Sequence, residues 1–140
     1  MPTRAKDASQ NSITCRYQAL LIELEPLEVE EQVGSVRLAI RIAYEGKRQS
    51  LHWTGKMWIS YAALTEFEEA LRAHEVATLV DMSLYPVLQI AAVGGQVHVM
   101  INPKAERQAL DGERLTVKLQ AEPGLPSALA MAFRDFPKWW

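Results

Sequence analysis

The clearest signal in the chain is alternation. Val36, Leu38, Ile40, Ile42 and Tyr44 share one parity while Arg37, Arg41 and Glu45 share the other, the two-residue period of a strand with one buried face. The same pattern runs through Leu51, Trp53, Met57 and Ile59, with Gly55 among them as a bulge or a point of close approach. Upstream, Ile13, Cys15, Tyr17 and Ala19 alternate, and the apolar parity then shifts to Leu20, Ile22 and Leu24. That shift predicts a bulge or a strand that changes faces. The period lengthens in "SYAALTEFEEALRAH", where Leu64, Phe67 and Leu71 recur at helical spacing and Glu66, Glu68 and Glu69 turn mostly outward. Ser60, whose oxygen can accept from a first-turn N–H, predicts the start of a helix over about 60–74.

Strand periodicity returns in "VATLVDMSLYPVLQIAAV", one interrupted strand or two short ones, with Pro86 at the break. Gly94-Gly95 predicts a two-residue hairpin, because both positions tolerate positive φ. Val97, Val99 and Ile101 alternate after it, and Leu115, Val117 and Leu119 alternate beyond a polar loop. Leu125, Leu129, Phe133 and Phe136 then form a stripe at helical spacing. Pro126 suits the first turn and Pro137 stops the helix, which gives about 126–136. Residues 1–11 read as a polar mobile tail and 12–140 as a single domain; no segment of sequence repeats. The expected fold is α+β: an antiparallel, meandering sheet or sheets of about six to seven strands, with helices over one face or end.

Composition narrows the chemistry more than it identifies it. The 140 residues are 49% apolar with a net charge of −2, and the basic residues are dispersed. That balance argues against nucleic acid as partner. A single cysteine, Cys15, excludes an internal disulfide and fits a reducing compartment. The polar N-terminus lacks a secretory core and no apolar run is long enough to span a bilayer, so the expected location is the cytoplasm, away from membrane. His52, His74 and His98 match no metal-ligand spacing, although His52 and His98 could meet across a sheet. No phosphate-cradling loop and no nucleophile–base pair stand out, so the reading is non-enzymatic and without a cofactor.

Two features suggest partner binding. Glu23, Glu25, Glu28, Glu30 and Glu31 crowd into "ELEPLEVEEQ", and Glu66 and Glu69 add charge on the first helix. Such carboxylates either solvate a strand edge or steer a basic partner. Trp58 is out of phase with Leu51, Trp53, Met57 and Ile59, which places it on the other face, under a helix or at an interface. At the C-terminus, Trp139 and Trp140 read first as a seal on the core and second as an interface clamp.

The run of "WIS", "YAALTEFEEAL", "LVDMSLYPVLQI", a glycine hairpin, "VHVMI" and a closing helix resembles small bacterial immunity proteins of the WapI-like group, partners of polymorphic and contact-dependent toxins. The resemblance covers residues 12 to 140 at the level of layout. It implies an intracellular protein that neutralises a cognate protein toxin by occluding it. An alternative is a regulatory or small-molecule-binding domain with a pocket lined by Trp53, Met57 and Trp58. Self-association through a strand edge, giving a homodimer, is compatible with either.

Overall fold

The computed structural model describes residues 12–103 and 116–140; the expected tail at 1–11 and most of the polar loop, with Leu115, fall outside them. The chain forms β1 (Ile13–Tyr17), β2 (Leu20–Glu30), β3 (Ser35–Glu45), β4 (Ser50–Ser60) and α1 (Tyr61–Arg72). It then forms β5 (Ala77–Val80), β6 (Pro86–Val93), β7 (Gln96–Ile101), β8 (Val117–Ala121) and α2 (Leu125–Asp135). The fold is α+β, with two four-stranded antiparallel sheets in the orders β1-β2-β3-β4 and β5-β6-β7-β8. We call these sheets A and B. The described residues form eight strands where six to seven were expected, and among them the order ββββα occurs twice although no sequence repeat announces it.

The additional strand comes from the parity shift near Leu20. Tyr17 pairs with Leu20, so Gln18 and Ala19 form a two-residue turn and the chain reverses instead of bulging. Gln18 takes φ +56°, and neither turn residue is the glycine, asparagine or aspartate that usually marks such a hairpin. A bulge does occur further along β2, where the register with β3 slips between Pro26 and Glu28. Leu27 is the extra residue. The slip puts Glu28 and Glu30 on the face that already carries Glu23 and Glu25, and returns Val29 to the side of Val36.

Gly55 causes no break, since the β3–β4 register runs through it. A Cβ there would lie 2.8 Å from the Trp53 ring, so the glycine makes room for the indole to lie along the strand. Gly94 and Gly95 form the expected turn with φ of +59° and +81°. Ser60 caps α1 as expected, its Oγ accepting from Ala63 N–H at 3.0 Å.

Each helix lies against the first strand of the other ββββα unit: α1 packs on β5 and α2 on β1, and the helices also pack on each other. Phe67 and Phe133 meet there with ring centroids 5.8 Å apart. Residues of both sheets and both helices join one buried apolar cluster, from Ile22, Leu24 and Ile42 of sheet A to Leu88, Val99 and Ile101 of sheet B. No helix among the described residues is long and apolar enough to cross a membrane.

The C-terminal segment closes this junction. Lys138 Nζ donates to Phe133 O at 2.6 Å, joining Phe136 N–H, which donates to the same carbonyl at 3.3 Å at the end of α2. The same ammonium sits 3.5 Å from Glu68 and 5.7 Å from the centre of the Trp140 ring. Glu68 is therefore buried and bridges Arg72 and Lys138, a correction to its expected outward position. Trp140 packs against the core and Trp139 stands edge-on to it, still 39% exposed.

Two stability outcomes follow from this junction. Truncation after Pro137 removes the Trp140 packing and one of the two cations beside Glu68, and should lower stability by about 2–4 kcal/mol in urea titrations. Phe67→Ala and Phe133→Ala should each cost about 3–5 kcal/mol. Their double-mutant cycle should show coupling of about 0.5–1.5 kcal/mol, whereas additive losses would mean the rings do not sense each other.

Candidate functional site

Sheet A buries one face and leaves most of the other in water, with Leu21 and Ala43 buried even there. The outer face carries Arg16, Leu21, Glu23, Glu25, Glu28 and Glu30 from β1 and β2, then Arg37, Ala39, Arg41 and Ala43 from β3. His52, Thr54, Lys56 and Trp58 of β4 complete it. Sheet B differs. Its opposite-parity residues are mostly uncharged, as in the rows Thr78–Gln89–Met100–Lys118, with one lysine, and Ala91–His98–Gln120. Most of the charge on the two sheets therefore belongs to sheet A.

The bulge at Leu27 lines the glutamates of β2 into one acidic rail, yet that rail is partly neutralised. Arg41 Nε is 3.1 Å from Glu23, which also accepts from Ser12 Oγ at 3.1 Å. Arg37 lies 3.4 Å from Glu28. These bridges are partly or largely solvent-exposed and contribute roughly 0–1 kcal/mol each. Their consequence is a face of both signs, acidic along β2 and basic along β3 and β4. Glu25, Glu30 and Glu31 have no charged partner among the described residues. A shallow trough of about 620 Å³ runs over Ala39, between Glu23, Glu25, Arg41 and Lys56. Glu66 and Glu69 are exposed on α1, away from this face.

Trp58 lies at one end of this face, on edge strand β4 beside Arg37, and is 36% exposed. It is not covered by a helix. The loop between β5 and β6 reaches it: Met82 N–H donates to Trp58 O at 2.9 Å. Asp81 Oδ1 holds that loop by accepting from Ser83 N–H and Tyr85 N–H, both at 2.9 Å. At its tip Leu84 is 81% exposed with φ +63°, a conformation that costs a leucine free energy of about 1 kcal/mol or more. Met82 is also exposed. Trp58 and, in the loop bonded to it, Met82 and Leu84 are thus three exposed apolar side chains at this end of β4. Sequence periodicity singles out Trp58 and misses the other two; the available signal is the Asp-x-Ser turn within "DMSLYP".

The pocket expected between Trp53, Met57 and Trp58 does not form, because Trp53 and Met57 lie on the inner face and Trp58 on the outer one. His52 and His98 do not meet across a sheet, since they occupy sheets A and B. His52 Nε2 instead lies 2.7 Å from Glu45. No cluster of three metal-ligating side chains occurs among the described residues. A separate cleft of about 480 Å³ opens between the β1–β2 turn and the β6–β7 hairpin, lined by Tyr17, Tyr44, Gln96, Gln120 and Glu122 among others.

Cys15 is buried on the inner face of β1, and burial pushes its thiol up to about 11 from 9.0. The neutral thiol is favoured in the fold, so an unfolded chain releases this proton first as pH rises. Stability should fall as pH climbs from about 9 to about 11. Cys15→Ala should remove that part of the alkaline loss, and a thiol reagent at neutral pH should label the native protein slowly and the urea-unfolded one fast. Comparison with protein-family models, curated proteins and solved structures finds no match.

Proposed function

We propose that the chain is a non-enzymatic immunity protein that neutralises a cognate bacterial toxin in the cytoplasm by covering the toxin's working surface. The observation that carries the reading is the exposed Trp58 of β4 together with the loop bonded to it, which exposes Met82 and Leu84. An exposed aromatic anchor with a polar surround is the usual anatomy of a protein interface. Glu25, Glu30 and Glu31 supply negative charge free to attract a basic toxin domain, while Arg37, Arg41 and Lys56 select a partner that carries acids at matching points. The Asp81 hydrogen bonds preset the loop's shape, which favours affinity because less ordering is left to do on contact. Glu66 and Glu69 lie outside this surface and would act only through long-range steering.

A second reading, a regulatory domain for a small polar ligand, draws support from the cleft beside Tyr17 and Tyr44. A ligand panel that raises thermal stability through this cleft would favour it.

Co-expression with the product of an adjacent toxin gene tests the first reading. Trp58→Ala with Leu84→Ala should weaken the complex by about 2–4 kcal/mol without unfolding the free protein. Glu25→Lys with Glu30→Lys should slow association and flatten its salt dependence. Unchanged affinity in the Trp58 and Leu84 variant would remove this surface from the account.

A further inference from the structure

The four edge strands of the two sheets are not equivalent. β1 and β5 carry α2 and α1 against them and span five and four residues; β8 spans five. β4 spans eleven residues, and all of them except Ile59 are at least partly exposed. Its hydrogen-bonding direction can be read from one bond. Trp58 O points outward to Met82 N–H, so Ser50, His52, Thr54 and Lys56, which share its parity, also turn their N–H and C=O groups away from β3. The Met82 bond is the only one to that outer edge among the described residues. The edge has no proline and no bulge, and of the usual defences against pairing it carries a single charge, Lys56. By contrast, the stretch of β2 that runs beyond β1 carries Glu25, Glu28 and Glu30, whose like charges oppose pairing with a copy of itself.

We propose that β4 is a homodimer interface, in which a second copy of the chain adds its own β4 antiparallel and extends sheet A across a two-fold axis. The 81–85 loop closes the edge at Trp58, which leaves the outward groups of Ser50 to Lys56 open. The midpoint of that stretch is Trp53. Alignment there sets Trp53 against Trp53 of the second copy, on the closely spaced non-hydrogen-bonded site. It sets His52 against Thr54 and Ser50 against Lys56, so no like charges face each other. Alignment on Lys56 would instead oppose two ammonium groups and drive the second copy into the loop. The half-buried Leu51, Trp53 and Met57 lie along the inner side of the same edge, and pairing would remove them from water. The interface does not depend on the toxin-binding reading.

Sedimentation velocity on the full chain across a concentration series tests the proposal. The wild type should show a reversible monomer–dimer equilibrium. Ser50→Glu places a carboxylate opposite Lys56 twice per dimer and should tighten the dissociation constant, while Ser50→Lys should loosen it, each on the order of tenfold. Thr54→Pro removes an outward N–H and should give a monomer with an unchanged circular dichroism spectrum. Should Thr54→Pro fail to fold, the two Ser50 variants decide alone. A wild type that stays monomeric throughout, or a dimer whose stability ignores the sign of the charge at residue 50, would overturn the proposal.

Discussion

Each sheet has one apolar face, and neither has a helix of its own unit sufficient to cover it. The contact between α1 and α2, centred on Phe67 and Phe133, is what resolves this for both sheets at once. Because each helix lies on the first strand of the other unit, the two ββββα units share a core instead of each owning one. Glu68 and Lys138 tie the same junction with a charge pair at its margin. A carboxylate this buried is tolerated only because two cations reach it, Arg72 from its own helix and Lys138 from the end of the chain.

This shared interior decides where function can reside. The inner faces are largely taken up by packing: Cys15 is buried there, and Trp53 and Met57 pack against the core while staying half-exposed. The surfaces left open include the outer face of sheet A, its free edge on β4, the loop bonded to Trp58 and the cleft beside Tyr17 and Tyr44. The bulge at Leu27 matters here more than its size suggests. Without that one extra residue, Glu28 and Glu30 would turn inward and the acidic rail would stop at Glu25.

Much of the fold is legible in the amino-acid pattern. Alternation in 36–44 and 51–59, the Ser60 cap, the Gly94-Gly95 turn and the Pro126 and Pro137 boundaries each rest on a local rule, and each holds within a residue or two. The failures share a different cause. The Gln18-Ala19 hairpin lacks turn chemistry and is held partly by Glu45 N–H on Ala19 O, a contact made only once β3 is in place. Glu68 looks solvent-facing on a helical wheel, and only the arrival of Lys138 from seventy positions along the chain explains its burial. The acidic cluster is legible as composition, but its neutralisation by Arg37 and Arg41 is a matter of cross-strand register. Leu84 is invisible to such rules because exposure and positive φ leave no periodic trace.

A shared interior makes the two ββββα units one cooperative structure. Native-state hydrogen exchange of the full chain tests it most directly. The slowest amides of β3 in sheet A and of β6 and β7 in sheet B should open with the same free energy, and Phe133→Ala should lower both by the same amount. Two separate opening free energies, with the substitution felt in sheet B alone, would contradict the account.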